Sequence, residues 1–384
     1  MFGFTEDEEM FARELRRFAQ KELAPFAKER AKKPSAYPPE VIRKMAELGV
    51  FGLELPTEYG GQGHVGYVKV GIAFEEIGAG DMMAPNPNAS LVAGQYLTLY
   101  GSKEATEEWL PGLISGDKLS CLVVTEPECG SDAAAMKVRA KKEGEYYVIS
   151  GEKTSITSGA QADVGLVFAK TDPAAGARGV TAFLVPLDDA SIKRSTFSDT
   201  GWIPMQRASL FFDDTRIHER YRLGEEGQGF LYMMRHFDYL RVTLCLWVLG
   251  GARTSIEDAV SYAKERKAFG RPISTFQGIA FKIADHATRL EAARLLAYRA
   301  LWLKEQDLPH SKEASMAKLL CPQVAVDAIH AALLIHGHYG YATDCPIEQR
   351  LRDAIGFEIA DGTAEIQQLI IARQIFGREY APQS

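Results

Sequence analysis

Beyond residue 226 the chain carries four long stretches of helical apolar spacing, 229–266, 275–306, 312–337 and 347–376, joined by short links. Stretches of this length with such short connections bury their apolar faces by lying antiparallel, which predicts a four-helix bundle. The last stretch has one break, Asp361-Gly362-Thr363, ahead of Ile366, Leu369, Ile370 and Ala372. Glycine lets a backbone pass close to a ligand, and threonine offers an N-cap oxygen. Asp361 therefore precedes the exposed amides of a predicted helix start. An isolated Asp-Gly pair is better read as a solvated turn or cap.

The first 117 residues are helical in pattern as well. Thr5-Glu6-Asp7-Glu8 has the spacing of a capping box, and Met10, Phe11, Leu15, Phe18 and Leu23 then share one face. Pro34 and Pro38-Pro39 mark a loop, and Pro39 suits the first turn of a second helix that runs through Leu48 and stops at Gly49. Helical spacing resumes over 68–77, 89–100 and 104–114. The texture then changes. Short β-branched or aromatic runs at 119–125, 137–142, 146–150, 164–170, 180–186 and 209–213 are separated by Gly, Asp and Pro clusters. Glu143-Gly144 and 172–176 read as turns, and the spacing predicts a β domain of roughly 110 residues. The expected fold is mainly α with a central β domain: a helical domain over 1–117, a β domain over 118–226 and the bundle over 227–384.

Composition narrows the function. With 384 residues, 25% charged and 46% hydrophobic, the chain is long enough for two or three domains. A net charge of −7 argues against a nucleic-acid surface, which needs concentrated Lys and Arg. Cys121, Cys129, Cys245, Cys321 and Cys345 show no CxxC spacing, which fits a reducing compartment and no structural metal. His336 and His338, two apart, would not share a helix face as metal ligands. The segment 4–17 is acidic and amphipathic rather than a secretion signal, and no apolar run was expected to span a bilayer, so the expected location is cytoplasmic. Neither GxGxxG after a strand nor GxxxxGK[ST] occurs, so a dinucleotide site would be assembled from dispersed pieces.

Four separated stretches supply such pieces: VVTEPECGSD at 123–132, ERKAFGRPISTFQ at 265–277, LIHGHYGYATDCPIEQRLRD at 334–353, and the terminal DGTAEIQ. Read singly they are a strand end, a helix end with its loop, and helix termini. In this order and spacing they closely resemble the acyl-CoA dehydrogenase family over nearly the whole chain. The resemblance implies that family's α–β–α fold and an FAD cofactor. By it, Val124, Thr125, Gly130 and Ser131 contact the flavin, with Ser131 also near the CoA chain. Ile156 and Thr157 match a second flavin segment, in which Ser155 stands where the family often has a tryptophan. Arg266, Phe269 and Gln277 would reach the FAD of a neighbouring subunit, Leu334, Gly337 and His338 its adenosine half, and Thr363 and Glu365 complete the cofactor set. Asp238, Arg241 and Gly362 fall where substrate contacts are expected, Arg241 as a cation for the anionic CoA; FDYLR is otherwise simply a partly polar helix face.

Asp361 occupies the place of the family's catalytic glutamate, and Ala360 the place of the tyrosine before it. One branch of the family moves the base onto the helix where Leu240 stands here, which leaves Asp361 as the carboxylate. The implied reaction is α-proton removal by Asp361 with β-hydride transfer to the flavin, in a homotetramer that passes electrons to an electron-transfer flavoprotein. A base one methylene shorter, beside a small Ala360, favours a cyclic or α-branched acyl group. Together with Ser155 and Met205-Gln206-Arg207, it resembles the cyclohexanecarboxyl-CoA dehydrogenase branch. The alternatives are a short- or medium-chain acyl-CoA dehydrogenase, an oxidase or desulfinase-like relative, and a non-enzymatic flavin-bearing protein.

Overall fold

The computed structural model describes residues 3–33, 37–377 and 379–380; Pro34 lies outside them. Helix α1 (Glu6–Phe18) opens with the anticipated capping box: Thr5 accepts from the Glu8 amide while the Glu8 carboxylate takes the Thr5 N–H. A wide turn at Ala19–Leu23 leads into α2 (Ala24–Arg30), and Pro39 starts α3 (Pro39–Glu47). Gly49, at φ +77°, turns the chain out of that helix. Helices α4 (Tyr67–Gly80), α5 (Pro87–Tyr100) and α6 (Lys103–Ser115) follow. Helix α4 is apolar nearly all round because it packs on α1 on one side and on the C-terminal helices on the other. Its two buried acids, Glu75 and Glu76, are matched by Arg16, Arg253 and Arg294 at 2.7–2.9 Å, so neither charge is left unpaired.

The central sheet comprises β1 (Ser120–Val123), β2 (Arg139–Glu143), β3 (Tyr146–Ile156), β4 (Val164–Lys170), β5 (Val180–Pro186), β6 (Ile192–Thr196), β7 (Ala208–His218) and β8 (Arg222–Leu223). They run in the order β6-β7-β3-β2-β4-β5-β8, with β1 parallel to β4. β4 and β5, buried along most of their length, match the expected runs. β3 and β7 are longer than the apolar runs suggested, because the ladder between them continues past 150 into a bulge. β6 was not anticipated: Ile-Lys-Arg-Ser-Thr buries only Ile192, as an edge strand does. The domain has its own core, including Val167, Phe183, Tyr147 and Leu210.

The C-terminal part is built on α7 (Gly229–Glu265) and α8 (Gln277–Glu305), joined through a hairpin of β9 (Lys267–Ala268) and β10 (Arg271–Pro272). Then come α9 (Ser311–His336), α10 (Pro346–Ile359) and α11 (Ala364–Phe376). The fourth helical pattern is thus two helices rather than one, parted at the Asp-Gly break. One expectation about membranes needs correction. The segment Ser311–Tyr339 is long and apolar enough to cross a bilayer by length and composition. Its apolarity has another cause: α9 lies in the middle of the bundle, packed by α7, α8, α10 and α11, and carries a buried lysine, Lys318.

Candidate active site

The site is organised by the break between α10 and α11. Ala360 ends α10 in extended backbone, and Asp361 and Gly362 then adopt φ of +54° and +101° before Thr363 starts α11. A left-handed non-glycine residue costs about 1–2 kcal/mol, so the turn needs external support. Arg241 Nε, from α7, donates to the Asp361 carbonyl at 3.1 Å. Lys318 Nζ, from α9, donates to Phe357 O at 2.8 Å and to Gly362 O at 3.3 Å. Gln367 Nε2, from α11, also donates to Gly362 O at 3.1 Å.

Asp361 keeps some open surface, yet its carboxyl is set deep among protein groups. Burial pushes that carboxyl above the usual aspartate range, while the Lys318 and Arg241 cations pull it back. A raised carboxylate is a stronger base. Leu240, one residue before Arg241 on α7, is buried and cannot accept a proton.

Arg241 is not a free surface cation. It is 8% exposed, and its Nε and Nη1 groups donate to Asp361 O and, at 3.2 Å, to Asp238 Oδ1. Asp238 in turn accepts from Ser311 Oγ. The pair braces the Asp361 turn from α7. Thr363 differs from expectation. It sits at the N-cap of α11 but its hydroxyl caps no backbone amide; it bonds the Glu365 side chain, which holds that carboxyl below its ordinary value.

The anticipated cofactor segments of the β domain converge at one end of the sheet. Val124 O accepts from Lys153 Nζ at 2.7 Å, and Lys153 pairs with Glu126 at 2.9 Å, both buried. Glu126 also accepts the Lys137 and Val138 amides, fixing the path that carries Gly130 and Ser131. The Thr154 amide donates to Thr125 O at 2.8 Å, which brings Thr125 alongside Ser155, Ile156 and Thr157. Among the described residues, the hydroxyls of Thr125, Ser131 and Thr157 have no protein hydrogen-bond partner, and Gly130 faces open space. Uncommitted hydroxyls beside a rigid strand end are the donor set that a polar-edged ring and its pyrophosphate require, so these residues fit FAD.

Ser155 lies in the bulge between the Lys153 and Ile156 pairings, exposed and at φ +58°. Its Oγ accepts from Arg207 Nη1 at 2.9 Å. Arg207 is paired with Asp199 and lies 4.3 Å over the Phe197 ring. Arg207 was noticed in the sequence only as a departure from the family pattern; its partnership with Ser155, 52 residues away, left no local signal.

The third and fourth segments lie on the outside of the bundle. Arg266 and Gln277 are exposed, Phe269 is 96% exposed in the turn of the hairpin, and Leu334, Gly337 and His338 are exposed at the end of α9. His336 is buried, bonded to Ala332 O at 2.8 Å and stacked on Tyr262. Among the described residues no cluster of His, Cys, Asp or Glu could hold a metal.

Comparison with known proteins agrees with this arrangement. Models of the acyl-CoA dehydrogenase N-terminal, middle and C-terminal domains match residues 5–117, 121–215 and 227–376. A 3-(aryl)acrylate reductase of Clostridium sporogenes is 38% identical over 97% of this chain and 99% of its own. A subunit of the caffeyl-CoA reductase-Etf complex of Acetobacterium woodii is 36% identical over 96% of this chain and 98% of its own. Butyryl-CoA dehydrogenase from Megasphaera elsdenii superposes with a TM-score of 0.92 at 32% identity, covering 98% of this chain and 99% of that one. The chain belongs to the acyl-CoA dehydrogenase family of FAD-dependent oxidoreductases.

Proposed function

We propose that the protein carries out α,β-dehydrogenation of an acyl-CoA thioester with Asp361 as the base. The observation that carries this reading is the Asp361 carboxyl itself. It is deeply set, raised by burial, and held on a turn braced by α7, α9 and α11. Bound FAD supplies the hydride acceptor for the β-hydrogen. Asp361 takes the α-proton, and the electrons of that C–H bond form the new C=C bond. The N–H of the base residue is available to the thioester oxygen as negative charge develops there. Thr125, Ser131 and Thr157 orient the cofactor from the β domain.

The favoured substrate is a cyclic or α-branched thioester such as cyclohexane-1-carboxyl-CoA. A short base and a small Ala360 leave room beside the reacting carbons. The relatives named for aryl acrylate and caffeyl-CoA support a ring-tolerant pocket, and they favour a second reading in which the enzyme runs as a reductase of a ring-bearing enoyl thioester. The butyryl-CoA enzyme stands for the short straight-chain alternative. The exposed Arg266, Phe269 and Gln277 suit contacts with the FAD of a neighbouring copy in a homotetramer. An electron-transfer flavoprotein in the cytoplasm is the proposed redox partner. Anaerobic single-turnover flavin bleaching with cyclohexanecarboxyl-, 3-phenylpropionyl-, butyryl- and octanoyl-CoA tests the reading. Fastest bleaching by butyryl- or octanoyl-CoA removes the ring preference, and bleaching by none removes the activity.

A further inference from the structure

We propose that Lys318 is a positioning residue for the base, bracing the turn that carries Asp361 and setting a positive charge beside it. The inference rests on Asp361 being the base. Lys318 lies on α9 and is 3% exposed. Its ammonium reaches two carbonyls on either side of Asp361: Phe357 O, in the last turn of α10, and Gly362 O, immediately after the base. Arg241 takes the carbonyl between them, that of Asp361. Cations from two different helices thus hold the turn through its backbone.

A neutral donor would satisfy those carbonyls at less cost, since a buried ammonium loses its hydration. Among the described residues Lys318 has no carboxylate within salt-bridge distance, so no ion pair accounts for its charge. The ionisable groups around it are Asp361 on the turn, Arg241 and Cys245 on α7, and Cys321 on its own helix; Asp238 beyond is already paired with Arg241. Among the described residues Asp361 is therefore the one unpaired carboxylate beside that charge. Burial raises that carboxyl and Lys318 is the leading influence against it. The cation has a role that a neutral amide lacks.

The test uses full-length, FAD-loaded Lys318→Met and Lys318→Gln, with Asp361→Asn as control. Flavin bleaching is followed in single turnovers across pH with saturating thioester, and amide exchange is measured over 357–363. In both variants the acid limb of the rate profile moves to higher pH by about one unit, as loss of a near cation raises a carboxyl. The limiting rate falls at least ~10-fold with little change in half-saturation, as misplacement of a catalytic group requires. Amide exchange accelerates in Lys318→Met and less in Lys318→Gln, which keeps a donor. Lys318→Gln carries the test should Lys318→Met not fold. An acid limb at the parent's pH in the loaded variants overturns the proposal. If Asp361→Asn bleaches near the parent rate, the base assignment itself fails; if Asp361→Asn is inactive while the Lys318 variants keep the parent profile, only the role of Lys318 falls.

Discussion

Trp202 and Asp353 are joined twice across the boundary between the β domain and the bundle. The Trp202 amide donates to Asp353 Oδ1, and its indole Nε1 to Asp353 O, both at 2.7 Å. The Trp202 ring also meets Phe357 edge-on at 5.0 Å. Gly201 makes the approach feasible, because a Cβ there would stand 2.5 Å from Arg352 O. This contact seats the β domain on α10, the helix that ends at the Asp361 turn.

Asp353 gives the seam a pH dependence. It is 2% exposed, and burial, aided by nearby Asp81 and opposed by the Trp202 amide, pushes its carboxyl up to about 7. A carboxyl raised in the folded state favours folding while it is protonated, and that contribution is lost as pH rises from about 4 through about 7. The parent should therefore lose stability relative to Asp353→Asn between pH 5 and pH 8, by on the order of a few kcal/mol. Thermal unfolding of both proteins at the two pH values measures the difference, and parallel curves would show that Asp353 is already ionised in the fold.

Asp361→Asn keeps size and most hydrogen bonding but accepts no proton. It should bind FAD and acyl-CoA yet reduce its flavin at least ~100-fold more slowly, the lower range for loss of a positioned base. Asp361→Glu retains a base placed one bond further into the acyl cavity, and should shift preference toward slim straight-chain thioesters. Stopped-flow bleaching with butyryl- and cyclohexanecarboxyl-CoA reads both effects.

Gly362→Ala should damage the site without unfolding the protein. At φ +101° alanine is strained by roughly 1–3 kcal/mol, and its Cβ would fall 2.6 Å from Gln367 Nε2. Expected are a modest fall in Tm, retained FAD, and a rate loss well beyond what the Tm change explains. Full activity would mean that the turn relaxes at no cost to the base.

Ser155 leaves one side of the cofactor segment without an aromatic wall, edged instead by Arg207. Bound flavin in the parent should be quenched more readily by neutral acrylamide than in Ser155→Trp. Equal quenching would show that the Arg207–Phe197 pair already covers that side.

The amino-acid order revealed much of this and missed particular parts for physical reasons. Apolar period alone located α7, α8 and α9, and the Thr5 capping box announced α1. β6 was missed because an edge strand with a single buried side chain carries no alternation worth reading. The Asp-Gly break was visible, but its bracing was not. Arg241, Lys318 and Gln367 come from three helices and meet only after packing, so no spacing rule connects them. Arg241 was visible as a cation, but its bonds to Asp361 O and Asp238 were not, because a sequence shows charge without its partners. The length and apolarity of α9 similarly describe burial, and only the neighbouring helices distinguish that burial from a lipid environment.

The division between α10 and α11 has a consequence for how such an enzyme can change over generations. Asp361 and Gly362 belong to neither helix, and their carbonyls are held by side chains from elsewhere in the bundle. The side chain at position 361 can therefore be lengthened or shortened without any helix losing a rung of its own ladder. A change at that short turn thus leaves the surrounding scaffold with its own hydrogen bonds intact.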